Sequence, residues 1–327
     1  MRSSASPQEK TSGRGKSAAA EPAAESYWPL LLLYLGLGFA SGLIWARIAN
    51  LAELPSWHSQ MIVGSAPAPN QYRPLIPHLV EFVRFFMPDG NLIAAYFVLR
   101  SVVTGVTLFF FDRYLRVWFS KSAAAAGALC LAAIIPFTYF RVVQESDPVN
   151  LLVFVLSFWA LAKGRDLWLI PLVLVGTLNR EAVAMTPAVY LVVRWGREQT
   201  ARLIWRTAAI GASWAAVYGG LLLFYGRRAY YCDVVMLAQN LSSLLPTIHV
   251  FLVFGVIWAL AFMAWRQGPE MLRRALWLTP LYVALHYCVA IAQEVRVFLP
   301  LAPILIPLAW RALFPREVTV TAQRARS

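Results

Sequence analysis

Charge is scarce in this chain. Asp, Glu, Lys and Arg make up 14% of its 327 residues, against 59% hydrophobic residues, a balance far from that of soluble domains. No soluble core of this length has use for so much apolar surface. Cysteine is scarcer still: Cys130, Cys232 and Cys288 are all there are, two of them inside apolar runs. That excludes a disulfide framework and offers no metal cluster. The sequence also lacks a GxxxxGK[ST] phosphate loop, a GxGxxG turn, HExxH, CxxC and DxD, so ATP-driven transport by this chain alone is not expected. A net charge of +13 would point to nucleic acid in a soluble protein. Here the basic residues fall mostly in short loops between apolar runs, and no nucleic-acid partner is expected.

Long apolar runs are what the chain has instead. They are too long for barrel strands, and helices satisfy their own backbone hydrogen bonds in lipid. The expectation is an all-α, polytopic transmembrane bundle of about ten spans, near 28–49, 91–111, 122–140, 149–162, 167–179, 182–195, 203–225, 247–265, 275–292 and 297–314. Several runs between 149 and 195 are short of the ~20 residues a perpendicular span needs, which predicts tilted or broken helices there. Residues 1–26, rich in Ala, Ser, Gly, Glu and Lys/Arg, are expected to form a disordered cytoplasmic tail and not a cleaved signal peptide. Residues 27–314 form the membrane domain and 315–327 a second cytoplasmic tail. With the N-terminus inside, 20 of the 29 Lys and Arg residues lie in inner segments, the bias that retains loops in the cytoplasm. A multi-pass protein of the inner membrane, with both termini cytoplasmic, follows from that asymmetry.

The longest outer segment, 50–90, contains Leu75 to Met87 (LIPHLVEFVRFFM), apolar and polar at helical spacing. It is read as an amphipathic helix on the outer membrane surface, with a partly buried connector as the alternative. Gly38 and Gly42 make a GxxxG helix-contact pattern in the first span, and Asn240-Leu241-Ser242 matches a glycosylation sequon in an outer loop.

The remaining arginines fall on the outer side or inside spans, several beside a carboxylate or amide: Gln71-Tyr72-Arg73-Pro74, Arg141 to Asp147 (RVVQESD), Asn179-Arg180-Glu181, and Gln293-Glu294-Val295-Arg296. Asn179-Arg180-Glu181 interrupts about thirty apolar residues, where a charged pair costs at least ~2.5 kcal/mol unless it meets a cavity or a partner. A hairpin dipping its polar tip toward the outer face accounts for it; a water-bound loop tip is the alternative. Arg73, Arg180 and Arg296, with Glu181 and Glu294 beside them, are substrate-binding candidates, since a guanidinium fork suits a phosphate or carboxylate. Glu145 and Asp147 stand two residues apart before Pro148; such a pair can divide acid and base work or bind a divalent cation. Glu53, beyond the first span, is a further candidate base, with His58 and His78 weaker ones. His249 and His286 read as core residues bonded to backbone carbonyls.

A first span followed by a long outer loop with an acid and a surface helix, an acidic pair in the second outer loop, and a late Glu/Arg element before a Pro-rich span together resemble the GT-C superfamily of polytopic membrane glycosyltransferases. Asp147 to Tyr190, with its short helices and Arg-Glu tip, is the most similar stretch. The resemblance implies transfer of a sugar from a polyprenyl-phosphate donor to a lipid, glycan or protein acceptor on the extracytoplasmic face. It would make Glu53 the first-loop base, Glu145 and Asp147 the second-loop acids, and Arg180 and Arg296 ligands of the donor phosphate. Glu53 stands alone between Ala52 and Leu54, unlike the acid-rich context usual in that family. Two other readings stay open: a transporter or flippase using the same arginines as an anion site, and a non-catalytic membrane subunit.

Overall fold

A computed structural model describes residues 27–139, 146–231 and 233–315. Arg141 and Glu145 lie outside the described residues, as do the two tails. The described chain is helical, with no strand; its single β-bridge pairs Ala68 with Tyr230. Among the described residues fifteen α-helices follow one another: α1 Trp28–Ile48, α2 Leu54–Ile62, α3 Leu75–Arg84, α4 Leu92–Leu115, α5 Lys121–Ile134, α6 Asp147–Ala162, α7 Leu169–Asn179, α8 Thr186–Arg194, α9 Thr200–Tyr225, α10 Leu237–Leu241, α11 Leu245–Phe254, α12 Val256–Ala264, α13 Glu270–Leu276, α14 Thr279–Val289 and α15 Ala302–Leu313. Five helical stretches are long and apolar enough to cross a membrane: α1, α4, α5 with its 3-10 extension to Thr138, α9, and Val295–Leu313, which ends in α15. A sixth is added if α11 and α12, bent by 65° at their break, count as one span.

The bend and the short helices have local causes. Gly255, between α11 and α12, has φ +49°, a left-handed conformation that glycine adopts without steric cost. The apolar run at 275–292 is divided as well: α13 ends at Leu276, and Pro280 sits in the first turn of α14, where its missing N–H costs nothing.

The first span is held by close backbone approach. A Cβ on Gly105 of α4 would lie 2.7 Å from Leu35 Cα, and Gly38 of α1 faces Ser101 and Gly105 in turn. Small residues permit this contact where lipid offers no hydrophobic drive for helix association. Residues Val295 to Trp310 are buried throughout, which places α15 and the 3-10 turn before it at the centre of the bundle. Its prolines leave carbonyls without their helical partners, and tyrosines take them up. Tyr114 Oη donates to Pro303 O (2.6 Å), four residues before Pro307; Tyr282 Oη donates to Val297 O (2.8 Å), three before Pro300.

The segment between α1 and α4 holds two helices where the sequence reading placed one. α3 ends at Arg84, three residues short of the expected Met87, and α2 packs beside it. Buried His58 links α2 to Tyr96 Oη (2.9 Å) and Glu81 Oε1 (2.6 Å), so this histidine is a clasp between α2, α3 and α4 and not a surface residue. His78 bonds the Pro74 carbonyl at 2.8 Å.

The three short helices α6, α7 and α8 run between two charged layers. α6 begins at Asp147, α7 ends at Asn179-Arg180 and α8 follows the Glu181–Met185 turn. At their other ends, Arg194 pairs with Asp166 and donates to Leu161 O (2.9 Å). The 16 residues of α6 span about 24 Å, α7 with its 3-10 lead about 22 Å, and α8 with its 3-10 lead about 23 Å. The three lengths agree, and all fall short of the ~30 Å hydrocarbon layer.

Candidate functional site

Two tripeptides organise one of these charged layers. In Asn179-Arg180-Glu181 each residue reaches a different part of the chain. Asn179 Nδ2 donates to Ser146 O (2.9 Å) and fixes the start of α6; Arg180 Nη1 donates to Asp147 Oδ1; Glu181 accepts both Nε (3.0 Å) and Nη2 of Arg73. Gln71-Tyr72-Arg73 works the same way. Gln71 accepts from Ala66 N (2.9 Å) and donates to Met61 O (3.3 Å). Tyr72 Oη donates to Gly226 O (2.9 Å) and accepts from Arg228 N (3.0 Å). Arg73 closes the bidentate pair that joins the two tripeptides.

Asp147 is the hub. Its second oxygen accepts from Arg296 Nη1 (3.4 Å), whose Nη2 donates to Glu294. Arg100, buried between the rings of Trp45 (5.0 Å) and Tyr139 (4.7 Å), shares a small pocket with Asp147. In the first turn of α6 the carboxylate also faces the positive end of the helix dipole. Asn240 holds the segment before Glu294 in place: its Nδ2 donates to Tyr287 O (2.8 Å) and Ala290 O (2.7 Å), and its Oδ1 accepts from Ala292 N (3.0 Å). The sequon asparagine is therefore a buried clasp with no group left for a glycan.

Beside this layer opens a cavity of about 430 Å³. Arg73, Arg180, Glu181 and Glu294 lie on one side of it. Trp214, Tyr218, Tyr230 and Tyr231 form an aromatic wall, with the Trp214 and Tyr218 rings stacked at 5.3 Å. Val234, Leu285 and Val289, partly exposed, give it an apolar edge. Of the five N–H groups of Arg180, one goes to Asp147, and the residue lines the cavity.

The structure thus gathers Arg73, Asp147, Arg180, Glu181, Glu294 and Arg296 at one place. Glu53 is not among the lining residues: exposed in the turn after α1, it accepts from Asn50 Nδ2 at 2.7 Å. Asp147 has both oxygens committed to arginines, which suits it to positioning guanidinium groups better than to accepting a proton. The carboxylate that does line the cavity without an ion-pair partner among the described residues is Asp233, which sequence reasoning passed over. Its one signal was a lone acid in an aromatic outer loop, Tyr230-Tyr231-Cys232-Asp233. His286, bonded through Nδ1 to Tyr282 O (2.9 Å) as expected, also lines the cavity. No group of three or more His, Cys, Asp or Glu side chains able to hold a metal occurs among the described residues.

No family model matches the chain, and no curated protein or solved structure is significantly similar to it.

Proposed function

We propose that the chain is a multi-pass membrane glycosyltransferase of the GT-C type, moving a sugar from a polyprenyl-phosphate donor to a lipid, glycan or protein acceptor on the extracytoplasmic face. The observation that carries the reading is the make-up of the cavity. An arginine with unspent N–H groups, Arg180, lines it, an aromatic wall suits a sugar ring, and an apolar edge suits a lipid chain. Asp233 removes the acceptor hydroxyl proton. The acceptor oxygen then attacks the anomeric carbon, the bond from that carbon to the phosphate oxygen breaks, and the electron pair leaves on the phosphate. Arg180 stabilises that charge, with Arg73 and Arg296 supporting it.

Ten crossings with both termini cytoplasmic fit this reading. The described ion pairs join only segments assigned to one side: Arg73 with Glu181 and Asp147 with Arg180 and Arg296 outside, Asp166 with Arg194 and Arg206 and Glu270 with Arg197 and Arg274 inside. Phe82, Phe85 and Phe86 at the end of α3 are exposed together, as a helix lying on the outer membrane surface requires.

The test is binding of polyprenyl phosphate against neutral polyprenol in nanodiscs. Wild type should prefer the phosphate about tenfold or more, Arg180→Ala should lose the preference, and Arg180→Lys should recover part of it. No preference in wild type returns the charged layer to a purely structural role. Asp233→Asn should keep binding while losing release of polyprenyl phosphate from a labelled donor; if turnover survives in that variant and substrate still crosses the bilayer, the same cavity serves a flippase.

A further inference from the structure

Lys163 and Arg165 are among the cations of the opposite charged layer that its ion pairs leave over. Arg116 pairs with Asp112, Arg194 and Arg206 with Asp166, and Arg197 and Arg274 with Glu270. Lys163 and Arg165, in the turn between α6 and α7, are exposed and have no ion-pair partner among the described residues. They stand at the mouth of a cavity of about 380 Å³ whose walls are Leu156, Trp159, Trp168 and Leu172. The Trp159 Nε1 is shielded from solvent with no acceptor among the described residues. Leu167 and Trp168 are exposed, as are Leu174 and Val175 further along α7, so the groove continues into the apolar surface a bilayer covers. Gly164, with φ +67°, turns the chain sharply enough to set both cations at one end of the groove.

We propose that this groove is a binding site for an anionic phospholipid. The acyl chain lies along Leu156 and Leu172, and the phosphate sits between Lys163 and Arg165. Charge complementarity selects the occupant. A zwitterionic lipid would bring its own cation against two unpaired cations, whereas an anionic one supplies the missing counter-charge. Tryptophan at the groove mouth is where an amphipathic ring meets the headgroup level. The site is distinct from the arginine cavity and does not depend on the glycosyltransferase reading.

Native mass spectrometry of the purified full chain, in detergent with equimolar phosphatidylglycerol and phosphatidylcholine, tests the proposal. Wild type should retain phosphatidylglycerol on the order of tenfold over phosphatidylcholine, less in high salt. The double variant K163Q/R165Q should lose the preference, and the exposure of both residues makes it a benign change for folding. Leu172→Trp, which fills the groove and keeps both charges, should reduce retention as well. Equal retention of the two lipids by wild type overturns the proposal. So does an unchanged preference in K163Q/R165Q, which would assign anionic-lipid binding to the other basic residues of the chain.

Discussion

Replacing Asp147 with Ala tests whether the charged layer is held by this one carboxylate. Asp147, Arg180 and Arg296 are 7, 8 and 4% exposed, so the variant leaves two guanidinium groups in a poorly solvated place. Removing one partner of a buried pair costs roughly 3–5 kcal/mol, because the remaining charge is uncompensated. Arg296 keeps Glu294, while Arg180 loses the carboxylate it donates to. Most of the cost therefore falls on Arg180, which sets the expectation near the lower bound, about 3 kcal/mol. The assay is thermal unfolding in detergent, where a loss of that size lowers the midpoint by several degrees, about 6 °C or more. Adding Arg180→Met to Asp147→Ala should recover most of the loss, since removing both charges replaces an orphaned ion with apolar contact. A midpoint for Asp147→Ala within about 1 °C of wild type refutes the argument, as does a double variant less stable than the single one.

At the α1–α4 contact, Gly105→Leu should destabilise by at least about 1–3 kcal/mol through overpacking, read as accelerated proteolysis; a variant as resistant as wild type would remove the close approach as an anchor. Asn179→Ala, which frees the Ser146 carbonyl and the start of α6, should cost about 1–3 kcal/mol and weaken phosphate-dependent binding; if it lowers stability alone, Asn179 does not position the cavity arginine.

Asn179-Arg180-Glu181 was legible in the sequence because it is an expensive polar interruption of an apolar run. Arg180 and Glu181 could sit where they do only with partners, and Arg73, Asp147 and Arg296 are those partners. What the sequence withheld was contact between distant segments. Nothing in the spacing of His58 shows that Glu81 and Tyr96 fold around it, and nothing in Asn240-Leu241-Ser242 distinguishes a glycan acceptor from an asparagine bonding three backbone groups. Asp233 was hidden for the opposite reason: an acid in a polar outer loop costs nothing there and so draws no attention. The break at Gly255 was equally silent, since a single glycine in an apolar run is tolerated by a continuous helix and becomes a bend only when its φ is positive.

The depth of the cavity follows from helix lengths that looked like defects. If α6, α7 and α8 each cross, their common span of about 22–24 Å leaves roughly 6–8 Å of the hydrocarbon layer uncovered. The polar ends they carry then sit below the level of the headgroups. Their other ends are tied through Asp166 to Arg194 and Arg206; if that layer lies at its interface, the shortfall accumulates on the side of Arg180. A charged layer recessed in this way cannot rely on bulk water, which explains why its arginines are matched with carboxylates nearly one for one. On the proposed function, a lipid-borne phosphate would reach Arg180 along the apolar edge at Leu285 and Val289, with its chain still in the bilayer, and the anchor of the substrate would count towards its selection beside its charge.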